Sequence, residues 1–167
     1  MIGVIAALVV LAAPCYQPPV SSPVTDPFRA PACSYCPGNR GLEYQPPSGS
    51  PVVAAYPGVV RFSGTVAEVR YLVVAQADGR TATYGRLATT FIAEGATVVA
   101  GQVIATTTVR FFFGLRQGDR YVDPSPFLGV VRYRPRLVPI DGSAPRRAPP
   151  PMIACALRPL VAGPMGR

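Results

Sequence analysis

The 167-residue chain has no histidine, no lysine and no tryptophan, and Asn39 is its only asparagine. The missing histidine excludes most. It removes the commonest metal ligand and the usual general base at neutral pH in one stroke. The missing lysine says less, because all 16 basic residues are arginine and the bias is that of a GC-rich genome. Acidic residues are also few, at eight, which leaves a formal charge of +8. No apolar run reaches the roughly 20 residues a spanning helix needs. No stretch of a dozen residues keeps a helical period between capping residues, so no helix is expected. No aromatic ladder or RNA-binding signature accompanies the arginines, and a nucleic-acid partner is not expected.

What is present is turn-rich and apolar. The chain has 21 prolines and 16 glycines, while 49% of its residues are hydrophobic. That combination suits one domain of short strands joined by tight turns around a real core. Residues 2–13 (IGVIAALVVLAA) form an apolar run that fits the core of an export signal. No basic segment precedes it, and the other reading is a buried strand. Residues 14–31 are proline-rich and read as a linker into the domain.

Strand signals follow. Residues 51–62 form two short apolar runs broken at Pro57-Gly58, and Thr65–Gln76 reads as one strand rich in β-branched residues. Asp78-Gly79 is a strong hairpin signal, returning through Arg80–Leu87. Thr97–Thr108 reads as two strands around Ala100-Gly101, and Val109–Arg116 as a further one, turned at 117–119 into Arg120–Val122. Strands recurring at this spacing predict an all-β domain, a sandwich or a curled antiparallel sheet. Beyond Gly129 the chain is arginine- and proline-rich, with one strand expected at Arg136–Ile140 and seven arginines after Val131. Such a tail is either a solvated extension or a contact for anionic envelope polymer or lipid.

The four cysteines, Cys15, Cys33, Cys36 and Cys155, permit three disulfide pairings. One of these ties Cys15 to Cys155 across the two tails and leaves Cys33 with Cys36. Neither a zinc ribbon nor a thioredoxin-like site fits well. The second cysteine pair of a ribbon is missing, and Pro37-Gly38 follows Cys36 where a redox helix would continue.

From Gly38 onward, Asn39–Glu43, Gly49–Ala54, Gly58–Val60, Asp78-Gly79, Tyr84–Leu87, Gly95–Ile104 and Arg110–Gly114 follow one another in an order that resembles the M23 (LytM, lysostaphin-like) metallopeptidase family. That family opens its site with His-x-Gly-x-Asp, where this chain has Asn39-Arg40-Gly41-Leu42-Glu43. Its Gly-x-Pro-Val-x-Ala and Gly-x-Val segments match Gly49–Ala54 and Gly58–Val60. Asp78-Gly79 and then Tyr84-Gly85-Arg86-Leu87 stand where the family has Asp-Gly and Tyr-x-His-Leu. A Gly-x-x-Val-x-x-Gly-x-x-Ile pattern runs from Gly95 to Ile104, and Arg110-Phe111-Phe112-Phe113-Gly114 aligns with His-x-His-Phe-Gly. With Tyr121–Pro124 and Phe127-Leu128 matching the closing segment, the likeness runs from about residue 24 to 129, with the domain proper at 32–129 and a tail at 130–167.

The resemblance implies an antiparallel β groove with the site on its turns (the duplicated hybrid motif type). It places the zinc ligands at Asn39, Glu43 and Phe112, and the two water-activating histidines at Arg86 and Arg110. Amide, phenyl and guanidinium groups leave Glu43 as the one ordinary zinc donor, and arginine cannot act as a general base. The expectation is a domain without zinc or peptidase activity. Its vestigial site is either a plug, with Arg86 and Arg110 pairing Glu43 bidentately and Phe112 filling the vacated volume, or an anion site. The implied role is an exported envelope module binding peptidoglycan or regulating a wall hydrolase. The alternative is a divergent zinc endopeptidase of peptidoglycan cross-links using Glu43, Cys33 and Cys36.

Overall fold

A computed structural model of the chain describes residues 15–33 and 35–132, together with 135, 139–140, 143–144, 147–149 and 152–155. The expected export segment at 1–13, and most of the expected strand at 136–140, lie outside the described residues. The architecture is all-β, as expected. Among the described residues, eleven strands are β1 (Val24–Asp26), β2 (Gly41–Tyr44), β3 (Pro51–Val53), β4 (Gly58–Val66), β5 (Val69–Gln76), β6 (Arg80–Thr90), β7 (Thr97–Val98), β8 (Val103–Gln117), β9 (Arg120–Val122), β10 (Val130–Arg132) and β11 (Met152–Ala154). One turn of 3-10 helix at Ser125–Phe127 is the only helical element among the described residues.

Nine strands form one sheet in the order β1-β2-β8-β6-β5-β4-β7, with β3 and β9 also paired to β8. Every pairing is antiparallel. Strand β8 is its spine. Its 15 residues pair with β6 along one edge and with β3, β2 and β9 in turn along the other. Strands β10 and β11 make a separate antiparallel pair.

The core follows the two-residue period of a strand. Leu72, Val74 and Gln76 of β5 point inward, as do Ala82 and Tyr84 of β6 and Phe111, Phe113 and Leu115 of β8. Tyr84 and Phe113 pack tilted, with ring centroids 5.2 Å apart, and the Tyr84 hydroxyl accepts the Ala55 N–H at 2.8 Å.

Three details depart from the sequence reading. The run Thr65–Gln76 is two strands, because Ala67 (φ 46°) and Glu68 (φ 65°) turn the chain without a glycine. The stretch 97–108 does hold two strands, β7 and the start of β8, but its second strand runs on without a break through 109–116 as the single strand β8, with bulges at its pairings to β3 and β6. Residues 16–29 do not behave as a linker. Tyr16 is fully buried, Val20 nearly so, and β1 pairs with β2.

Both disulfides take the pairing that joins the tails, Cys15 to Cys155 and Cys33 to Cys36. Bonds of this kind form and persist in an oxidising compartment.

Burial pushes the phenols of Tyr44 and Tyr84 above the usual tyrosine range, and burial and then Asp78 do the same for Tyr16. A folded-state pKa above the unfolded value of about 10 gives stability that is complete below that pH and is lost above it. With three such groups, stability is expected to fall by up to roughly 4 kcal/mol per pH unit above about pH 10. Urea unfolding at a series of alkaline pH values checks this, and a flat profile between pH 10 and 12 contradicts the burial of all three.

Candidate functional site

Strands β2, β8, β6 and β5 bring four residues into one cross-strand row. Glu43 lies opposite Phe112, Phe112 opposite Gly85, and Gly85 opposite Tyr71. Residues directly opposite in an antiparallel sheet share a face, so Glu43, Phe112 and Tyr71 stand together. The Phe112 ring lies close over two glycines. A Cβ at Gly41 would sit 2.7 Å from its Cε2, and one at Gly114 would sit 2.9 Å from its Cε1. The ring therefore occupies a bed that only residues without side chains provide.

Arg86 enters the row through a break in strand regularity. It lies in a bulge between Gly85 and Leu87, with φ at 59°, a left-handed conformation that non-glycine residues seldom adopt. Its carbonyl accepts the Thr108 hydroxyl at 3.0 Å, which helps hold the bulge. From there its Nη1 donates to Glu43 Oε2 at 2.8 Å. Arg110 Nη2 lies 3.6 Å from the same oxygen. The expected bidentate clamp is thus replaced by two guanidiniums converging on one carboxylate oxygen. Both partners of the closer pair are partly exposed, 35% for Arg86 and 21% for Glu43, so the pair is only modestly stabilising.

This geometry sets a local test. Arg86→Gly loses the ion pair but relieves about 1 kcal/mol of left-handed cost. It should stay within about 1 kcal/mol of the parent in urea unfolding. Arg86→Val puts a β-branched residue at positive φ and should cost about 2–3 kcal/mol. Equal stabilities for the two variants would mean that residue 86 is not held left-handed.

Asn39 stands apart from the row. It is buried, its Nδ2 donates to the carbonyls of Asp26 (3.2 Å) and Pro27 (3.1 Å), and its Oδ1 accepts the Gly41 N–H at 3.3 Å. Its backbone forms a two-way bridge with Arg29, at 2.9 Å in each direction. The side chain is committed to pinning the loop before β2. Arg29 in turn pairs with Asp26 and, with some help from Asn39, holds that carboxyl below the usual range.

A cavity of about 260 Å³ opens here, lined by Gly38, Asn39, Arg40, Glu43, Tyr71, Arg86 and Phe112. It unites four of the five vestigial positions read from the sequence, and Arg110 reaches it through Glu43. Phe112 narrows this volume without filling it. Arg40 and Tyr71 were not singled out in the sequence. Arg40 occupies a variable position inside the first motif, and Tyr71 is one aromatic among many in an apolar strand. One carboxylate against two guanidiniums leaves the row with an excess positive charge.

The family model for peptidase family M23 matches residues 37–124, more than half the chain. The chain belongs to peptidase family M23. No curated protein matches it significantly. Solved structures with a similar fold include Csd3 of Helicobacter pylori, at 19% identity and TM-score 0.63. That match covers 71% of this chain and 36% of Csd3, so this chain spans about a third of Csd3. A chain of the SpoIIQ-SpoIIIAH pore forming complex has 16% identity and TM-score 0.60, covering 70% of this chain and 92% of its own. The catalytic domain of the antimicrobial peptidase lysostaphin from Staphylococcus simulans has 19% identity and TM-score 0.56, covering 64% of this chain and 91% of its own.

Does the M23 site in this chain suit a zinc ion? Zinc takes imidazole, thiolate or carboxylate donors, usually three from the protein in a catalytic site. Here the three aligned positions hold an amide spent on backbone hydrogen bonds, a carboxylate contacted by two arginines, and a phenyl ring. Cys33 and Cys36 are joined to each other and present no thiolate. No group of three histidine, cysteine, aspartate or glutamate side chains gathers among the described residues. The donor set does not suit zinc.

Proposed function

We propose that this chain is a non-catalytic M23 module, exported to the cell envelope, whose groove binds peptidoglycan or a wall hydrolase instead of cutting a peptide. The observation that carries this reading is the Arg86–Glu43 ion pair, 2.8 Å long, built into the row where the family resemblance places metal and bases. Arginine stays protonated at working pH, so neither Arg86 nor Arg110 can take a proton from water. The excess positive charge beside an open cavity suits a carboxylate, such as the free end of a wall peptide. Exchanging one carboxylate for another on the same guanidiniums needs no new machinery. The presence of a similar fold within the SpoIIQ-SpoIIIAH complex supports a partner-binding role. The two disulfides support an oxidising location.

The test begins with metal content. Protein purified without chelator or affinity histidines should carry far less than one zinc per chain and release no fragments from purified cell wall. One zinc per chain together with fragment release returns the chain to the endopeptidases. Co-sedimentation with cell wall should then be clearly weakened in Arg86→Gln/Arg110→Gln. Glu43→Gln removes the competing carboxylate and should strengthen it, while costing about 1 kcal/mol of stability. Wall binding unchanged in both variants would move the contact away from this groove.

A further inference from the structure

The face of the sheet opposite the core breaks the usual alternation of an antiparallel sheet, in which apolar residues point in and polar ones point out. Two neighbouring cross-strand rows on this face run through β4, β5, β6, β8 and β2. One is Gly64, Tyr71, Gly85, Phe112 and Glu43, and the other is Phe62, Val73, Thr83, Gly114 and Gly41. Glycines and aromatic rings dominate both rows, and their one charged residue is Glu43 at the β2 end. Each ring lies down on a glycine. A Cβ at Gly64 would sit 3.0 Å from Phe62 Cζ, one at Gly85 would sit 2.7 Å from Tyr71 Cε1, and Phe112 lies over Gly41 and Gly114. All three rings are partly exposed. One side of each rests on backbone, and its exposed part is turned away from the sheet.

We propose that this aromatic band is a stacking platform for a β-linked pyranose chain that bears a carboxylate, laid across the strands with its acidic group at Arg110. The proposal deepens the reading of the Glu43 groove as a binding surface and rests on it. A pyranose presents a flat patch of weakly positive C–H bonds, which suits the negative face of an aromatic ring. Gly64 and Gly85 are two strands apart, roughly 10 Å, which is close to the advance of a disaccharide unit in an extended chain. The polar edges of such a chain need hydrogen-bond partners. The hydroxyls of Tyr71 and Thr83 stand within the band and make no hydrogen bond among the described residues. A protein partner would anchor its side chains in pockets, whereas rings laid flat on glycine make a level surface. A nucleic acid also stacks on such rings, but it needs a basic groove along its backbone, and neither row carries a basic residue. At the β2 end, Arg110 is 62% exposed and meets Glu43 at 3.6 Å, a pair loose enough to exchange for a ligand carboxylate.

The experiment is calorimetric titration of the full, oxidised chain with two peptide-free tetrasaccharides. One is the β-1,4-linked tetramer of N-acetylglucosamine, and the other carries a lactyl carboxylate on alternate sugars. Both should bind, the acidic one about three- to tenfold more tightly at low salt. Tyr71→Leu keeps apolar bulk without a ring face and should weaken both about five- to tenfold. Tyr71→Trp should bind at least as well as the parent. Arg110→Gln should remove only the preference for the acidic sugar. In the parent itself, magnetisation saturated on the aromatic protons should pass to the sugar C–H protons, a readout that depends on no variant folding. Absence of that transfer, or equal affinity of the parent and Tyr71→Leu, overturns the proposal. Binding of purified cell wall without binding of either tetrasaccharide also overturns it, and leaves the groove reading standing. Absence of both wall and sugar binding overturns the two together.

Discussion

Tyr16→Ala is expected to destabilise the protein by about 4 kcal/mol, among the largest effects of any single substitution in this chain. The side chain is fully buried. Its ring packs against Tyr56 at 5.0 Å and Phe127 at 5.8 Å between centroids. Its hydroxyl lies 2.6 Å from Gln76 Oε1 and 2.6 Å from Asp78 Oδ2. Asp78 also pairs with Arg80, whose guanidinium lies 4.4 Å from the Phe127 centroid. Around this side chain the backbone is fastened on both sides, since the Tyr16 N–H donates to Phe127 and the Gly129 N–H donates to Tyr16, each at 2.8 Å. Alanine leaves an aromatic-sized void and strands a polar group beneath it. A loss of that size lowers Tm by roughly 10–15 °C in a domain of this length. Tyr16→Phe keeps the ring and should cost only about 1–2 kcal/mol. Thermal denaturation followed by circular dichroism checks both. A Tm within about 3 °C of the parent for Tyr16→Ala would restore residues 14–31 to the status of a linker.

The second large effect is removal of the disulfide beside that residue. Cys15 and Cys155 are 140 residues apart in sequence, so the bond closes nearly the whole described chain. Constraining so long a loop in the unfolded state is worth about 5 kcal/mol in the chain-entropy account, and measured values run from about 2 to 5. Cys15→Ser/Cys155→Ser should fall in that range. The pair Cys33 and Cys36 closes a loop of three, and Cys33→Ser/Cys36→Ser should cost about 2 kcal/mol or less. Melting the parent with and without reductant should reproduce the larger loss. The effect will not add to that of Tyr16→Ala, because both act on one contact region. Equal losses from the two disulfides would contradict the loop-length argument.

Much of the sheet was legible because its cues are local. Asp78-Gly79 marked the β5–β6 turn, and β-branched alternation marked the strands on either side. The Ala67–Glu68 turn was not legible, because two ordinary residues take left-handed backbone there under the pairing of β4 with β5. The length of β8 was hidden for a related reason. Its bulges break the apolar period, so one strand reads as two. The linker reading of residues 14–31 failed because proline density says nothing about a partner 60 residues away, and Tyr16 finds its partners at Gln76 and Asp78. At the site, the motif order located Glu43, Arg86 and Phe112 in one row. What it did not foresee was the division of labour. Asn39 serves the loop, Arg86 and Arg110 share one carboxylate oxygen, and Arg40 reaches towards a separate cleft.

The bond between Cys15 and Cys155 also has a mechanical meaning. The two α-carbons are 5.7 Å apart, so the sheet hangs as a closed loop from a single point. A pull applied to the chain on either side of that point is carried by a covalent link and never reaches the strands. Once the bond is reduced, the same pull meets β10 and β11, only three residue pairs long and well suited to opening one pair at a time. Stretched under oxidising conditions, the domain should keep its shape under tension. Stretched in reductant, it should unravel from its C-terminal end at low force.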